Sequence, residues 1–367
     1  MDKTVKFRVE IESNGQKVLH SVTASTEELR KAIGDIPDVA QRATSSLSNM
    51  GSFALALNSS IEVVGRLQNV ISGIADDFNA FDKGMRAVNT MAGESKEGLS
   101  LLTGQVEELA NTIPLAKEEL ASGLYQVISN GVPKDNWIAF LEQSSKSAVG
   151  GIADLGQTVT VTSTLIKNYG LEWSEAAALQ DKIQTTAKNG VTSFEQLAQA
   201  LPRVTGNAAT LGVTVDELMA SFATLTGVSG NTNEVSTQMA AIFTALVKPS
   251  SEATEMAQAM GIQFDAAAIK AAGGFQSFLT NLDGTVKAYA AANGMIAEEI
   301  YGKLFGSAEA LRALIPLNGE LADTYRNNVS AMADSGGTID AAFESMSGSG
   351  EAVTEMLHNQ LSTMFSW

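Results

Sequence analysis

Cysteine is absent from the 367 residues. Disulfides, thiolate metal sites, iron–sulfur clusters and a cysteine nucleophile are excluded together. Histidine is nearly absent: His20 and His358 stand at opposite ends, so one chain has no set of several histidines to assemble. Cations are in short supply, with 24 Lys and Arg against 41 Asp and Glu, a formal charge of −17. Such a chain is repelled by nucleic-acid phosphates and by anionic membrane surfaces. Three Trp and five Tyr, widely scattered, make no platform for sugars or single strands. No apolar run reaches the roughly 18 residues of a membrane-spanning helix. The charged start, Met1-Asp2-Lys3-Thr4-Val5-Lys6, lacks the apolar core of a signal peptide, so folding in a reducing cytoplasm is expected. What is present is 44% apolar residues, enough to bury a core. Charged residues are only 18%, with Ala, Ser, Thr and Gly filling the difference. The length suits two or three domains, or one elongated assembly.

Reaction motifs are also missing. Gly302-Lys303 lacks the upstream glycine and the following Ser or Thr of a phosphate-binding loop. No Gly-x-Ser-x-Gly elbow occurs, and Gly348-Ser349-Gly350 has linker composition. Asn231-Thr232-Asn233-Glu234 reads as a helix cap rather than a calcium loop. Most carboxylates fall in caps or on helix faces, where a structural role accounts for them. No cofactor, metal or catalytic residue is expected.

The N-terminus differs from the rest. Val5, Phe7, Val9 and Ile11 alternate with polar residues, Asn14-Gly15 is a hairpin turn signal, and Val18 to Thr23 returns as a second strand. Ser25-Thr26-Glu27-Glu28 then opens a short helix to Ile33. Residues 34–51 read as a linker. A long amphipathic helix follows over 52–92. In it Val64, Leu67, Ile71, Ile74, Phe78, Phe81, Met85 and Val88 are spaced 3, 4, 3, 4, 3, 4, 3. That average of 3.5 is the coiled-coil period, and it makes these eight a candidate self-association seam. The same stripe equally suits a helix lying on its own domain's core.

Residues 93–330 read as short helices with recurring punctuation: a Gly, an apolar residue, then an acidic helix start. It occurs at Gly170, Gly190, Gly212 and Gly261, spaced 20, 22 and 49 residues apart, which is no fixed repeat. Ser193 with Gln196 and Thr214 with Glu217 are capping boxes 21 residues apart. Each Gly is expected to close one helix in the left-handed conformation before the next cap. Pro114, Pro202, Pro249 and Pro316 mark breaks or first turns. Residues 331–350 resemble a Gly/Ser linker with a short helix inside, and 351–367 begin a further helical stripe that suggests a chain cut from something longer. The fold class expected is all-α: an elongated assembly of short helices, one long coiled-coil-like helix and a small N-terminal β-hairpin.

Within 75–330 an ordered set stands out: Met91-Ala92-Gly93, Ile113-Pro114, Tyr125-Gln126, Ala200-Leu201-Pro202-Arg203-Val204 and Phe222-Ala223-Thr224-Leu225-Thr226. It continues with Phe243-Thr244-Ala245-Leu246, Pro249-Ser250, Met260-Gly261-Ile262 and Leu304-Phe305-Gly306-Ser307. The set resembles the core region of tail tape-measure proteins of long-tailed bacteriophages and related prophage tails. The resemblance implies a structural, non-enzymatic protein in the virion tail lumen, assembled in the bacterial cytoplasm. It implies several parallel copies, with tail-tube subunits, tail-tip or baseplate proteins and tail assembly chaperones as partners, and a span that sets tail length. Members are usually much longer than this chain and often carry an apolar segment that it lacks. A single helix of the whole chain would span about 550 Å. The chain therefore reads as the N-terminal part of a longer tape or as a short-tail variant. The alternative is a secreted helical effector or membrane-perturbing protein of a phage-tail-like injection system, which Ala- and Gly-rich amphipathic helices would suit. Nothing in the chain resembles the peptidoglycan-cleaving module of some members.

Overall fold

The computed structural model of the chain describes residues 4–13, 16–25, 77 and 79–365. At the N-terminus β1 (Thr4–Ser13) and β2 (Gln16–Ser25) run antiparallel, with Ser13 opposite Gln16. Every other regular element among the described residues is helical. The helix expected after Ser25, the 34–51 linker and the first half of the 52–92 helix lie outside the described residues. The chain divides into two compact units, residues 1–129 with 345–367, and residues 130–344.

In the first unit α1 covers residues 79–92, followed by α2 (Lys96–Ala110) and α3 (Lys117–Ser129). Phe81, Met85 and Val88, one stripe of α1, are buried. Gly84 lets α1 approach α3 closely: a Cβ there would stand 3.0 Å from Ala121 Cβ. The turn after α1 is locked by Asn89, whose side chain accepts from Glu94 N at 2.8 Å and donates to Glu94 O at 3.2 Å. Ser95 then caps α2 through Gly98 N. The C-terminal helix of the chain spans Gly350–Phe365. Its Asn359 donates to Ala110 O at 3.1 Å and Leu115 O at 2.8 Å. The last carbonyl of α2, which has no intrahelical donor, and one in the connection to α3 are thereby satisfied.

The second unit begins with a 3-10 turn at Lys134–Asn136 and continues as α4 (Trp137–Gly151), α5 (Leu155–Tyr169) and α6 (Ala176–Asn189). Gln180 is fully buried and ties these three helices. It accepts from Ser147 Oγ at 2.7 Å and donates to Thr162 Oγ1 at 3.1 Å and Ser144 Oγ at 3.3 Å, which satisfies both ends of a buried amide. Next come α7 (Phe194–Ala200), α8 (Pro202–Leu211, with Pro202 at its first position), α9 (Val215–Ser229) and α10 (Thr232–Val247). The core centres on α9 and α10, where Leu218, Met219, Phe222, Val235, Met239, Ile242 and Phe243 are fully buried. The Phe243 ring meets Phe275 edge-on at 5.6 Å. The unit continues through α11 (Ser251–Met260), α12 (Ala266–Ala272), α13 (Phe275–Asn293), α14 (Ala297–Phe305), α15 (Ala308–Asn318), α16 (Ala322–Ala333) and α17 (Thr338–Ser347). The helix Gly350–Phe365 is therefore α18. Pro316 lies inside α15, in its last turn.

The punctuation reading holds at three of its four glycines. Gly170, Gly212 and Gly261 adopt φ of 63°, 75° and 71° and close α5, α8 and α11. Gly190 is the exception, extended at φ −108°. Glycine is required there by space: a Cβ would collide with Thr226 Oγ1 and lie 3.0 Å from the Ala223 carbonyl oxygen. The expected Gly/Ser segment 331–350 carries α17, whose Ile339 is buried.

Candidate functional site

Among the described residues no three His, Asp or Glu side chains gather where they could hold a metal ion. The most engaged carboxylate, Glu217, is built into the backbone. Thr214 Oγ1 accepts from Glu217 N at 3.2 Å while Glu217 Oε2 accepts from Thr214 N at 3.0 Å, the reciprocal capping box. Its other oxygen accepts from Gln276 N at 2.9 Å, at the start of α13. Glu217 thus caps two helices that begin about sixty residues apart in sequence. The Tyr169 hydroxyl, buried near this carboxylate, is held well above its ordinary pKa by burial and then by the Glu217 charge. His358 sits 3.3 Å from Asp77 Oδ2 in the first unit. A carboxylate with three amide and hydroxyl donors is a structural anchor, since its lone pairs are already used.

The candidate seam divides. Val64, Leu67, Ile71, Ile74 and Phe78 lie outside the described residues. Phe81, Met85 and Val88 are at most 2% exposed, buried by their own chain. Lys117 Nζ stands 5.8 Å over the Phe81 ring and 3.8 Å from Glu107. Burial pushes the Lys117 ammonium below its ordinary pKa, against the attraction of Glu107.

The second unit presents a groove that sequence reading did not single out. It encloses about 480 Å³ between α10 and the turn joining α14 to α15. One wall is the small-residue face Ala240, Ala241, Thr244 and Ala245; the other is Leu304 to Ser307. Phe305 is fixed at its base by an edge-on contact with Phe264 at 5.0 Å. Lys248 and Ser250 line one end. Two of the segments on which the family resemblance rests, Phe243–Leu246 and Leu304–Ser307, meet here. The signal that could have pointed to it is the run of small residues on α10, which marks a close-packing face and is silent on what faces it. Elsewhere Ile152 is exposed at 71% and takes φ 51°, the one non-glycine positive φ among the described residues. That conformation costs a β-branched residue about 1–2 kcal/mol.

The second unit is thus a bundle of short helices, half of them started by a capping Ser, Thr, Asp or Asn. Comparison with known proteins gives the family. The family described as Phage-related minor tail protein matches residues 103–306, more than half of the chain. The chain belongs to that family. It is 23% identical over 368 aligned residues, 94% of its length, to a probable tape measure protein of Clostridium phage phiCD119. It is 21% identical over 186 residues, 51% of its length, to a tape measure protein of Pneumococcus phage Dp-1. The alignments span 38% and 16% of those two relatives, so the chain corresponds to a part of each. No solved structure matches.

Proposed function

We propose that this chain is a structural segment of a tail tape measure: it occupies the lumen of a phage tail tube, scaffolds polymerisation of tube subunits and helps set tail length. The observation that carries this reading is the family match over residues 103–306, joined to one tape measure relative along 94% of the chain. The helical construction supports it, since a helix converts residue number into length at about 1.5 Å per residue. The acidic balance supports it too, because a net charge of −17 keeps a lumen-filling protein from adhering to nucleic acid. Several parallel copies would meet through Val64, Leu67, Ile71, Ile74 and Phe78, the part of the stripe upstream of the residues that α1 spends on its own unit. The N-terminal hairpin would be a small module separate from the 93–330 core. Tail-tip or baseplate proteins and assembly chaperones would be the further partners, and catalysis has no part in the role.

The test alters span without disturbing α1. Residues 64–77 make two heptads, so repeating that block keeps Phe78, Phe81, Met85 and Val88 in phase. Four added copies, 56 residues in all, lengthen a helical tape by about 84 Å. The measurement is tail length by electron microscopy of assembled particles. Tails of unchanged length would overturn the ruler role for this segment.

A further inference from the structure

Half of the fourteen helices of the second unit start on a cap supplied within their own turn: Asp154, Ser193, Thr214, Asn231, Ser250, Asp265 and Ser307 each accept from an amide three residues on. Helix α17 starts differently. Its nearest upstream hydroxyl, Ser335, donates back to Met332 O at 2.8 Å. The amides at its start go instead to a remote carboxylate. Asp181 Oδ2 accepts from Gly337 N at 2.9 Å and Asp181 Oδ1 from Ile339 N at 2.8 Å. Beside it Lys182 Nζ donates to Met332 O at 2.9 Å and pairs with Asp216 Oδ1 at 2.6 Å. The Thr185 and Thr338 hydroxyls lie 3.3 Å apart.

The apolar side of this attachment is thin. Ile339 is the one buried residue of α17. The helix lies close on α4, where a Cβ on Gly150 would fall 2.8 Å from Phe343 N. Gly336 and Gly337 precede it, the latter at φ 78°, and Gly348 follows. A segment held largely by polar contacts, with little buried apolar surface and glycines on both sides, belongs to the part of a fold that opens below the global unfolding free energy.

We propose that residues 334–344 are a strap that opens from the second unit and recloses as one piece, with the Asp181 carboxylate as its latch. Opening releases the two latch amides together and lifts Ile339 out, while Asp181 on α6 and Gly150, the α4 residue against Ala342 and Phe343, stay in place. Freed, the 11 residues reach up to about 36 Å when extended. The segment is then a built-in length of slack at a set place in the chain. This inference concerns one carboxylate and one segment, and it stands whether or not the chain acts as a tape.

The test is hydrogen exchange read by mass spectrometry on the full chain, wild type against Asp181→Asn. The latch predicts that amides of 337–344 exchange about tenfold faster or more in the variant, the loss expected for charged acceptors. Amides of 218–226, in the core of α9, should not change. Equal acceleration in both regions, or none in the strap, overturns the proposal. Should Asp181→Asn not fold, Thr185→Cys with Thr338→Cys offers a second route, because the chain has no other cysteine. The oxidised bond should slow strap exchange and reduction should restore it; strap exchange indifferent to the bond overturns the latch.

Discussion

Helices α9 and α11 share one unit and one kind of start, a hydroxyl cap accepting from an amide three residues on. Their interiors differ. Ten of the fifteen residues of α9 are buried, including Ser221, Thr224 and Thr226, whose hydroxyls donate to carbonyls one turn back. Of the ten residues of α11 only Ala253 and Ala257 are buried. The cap therefore decides where a helix begins, and the apolar pattern decides what it contributes. A helix apolar on most faces is surrounded by others; one with a narrow alanine stripe lies on the outside.

Four substitutions sharpen this contrast, in falling order of effect. Phe222→Ala removes a fully buried ring from α9 and should lower unfolding free energy by about 3–5 kcal/mol, read from urea titration. A loss below about 1 kcal/mol would mean that the centre is not the stabilising core. At the joints, Gly190→Ala and Gly212→Ala distinguish two uses of glycine. The first drives a methyl group into the Ala223 backbone and should cost about 1–3 kcal/mol. The second meets open space but keeps φ at 75°, and should cost about 1 kcal/mol in thermal melts. A reversed order would show that conformational strain outweighs crowding in these turns. On the periphery, Glu255→Ala at an exposed position of α11 should shift stability by no more than about 0.5 kcal/mol. A larger change would give α11 a share of the core that its burial denies.

The parts legible in sequence were those with local causes. Ser193 with Gln196 and Thr214 with Glu217 could be read as caps because both halves of each box lie within four residues. The left-handed glycines 170, 212 and 261 followed from the same logic. The remote donor to Glu217, Gln276 N, could not be read, since nothing in either segment announces the other. Gly190 looked like its neighbours in the string of letters, yet its reason lies on α9. Likewise the stripe ending in Phe81, Met85 and Val88 carried the period of a seam, and period alone does not say whether the partner is another chain or α3. The groove beside α10 was hidden for the same reason: alanines announce a close approach and leave the approaching element unnamed.

The reach of Asp181 has a consequence for how the second unit comes into being. Its locally capped helices can form as the chain is made, each closing against elements already present, and contacts near in sequence form quickly. The bonds from Asp181 to Gly337 and Ile339 join residues 156 and 158 positions apart. On a ribosome, where domains generally assemble in the order of synthesis, that contact must wait for nearly the whole unit. During that interval the places that Gly150 and Asp181 hold for α17 stand open on the growing bundle, and the arrival of α17 marks the completion of the second unit.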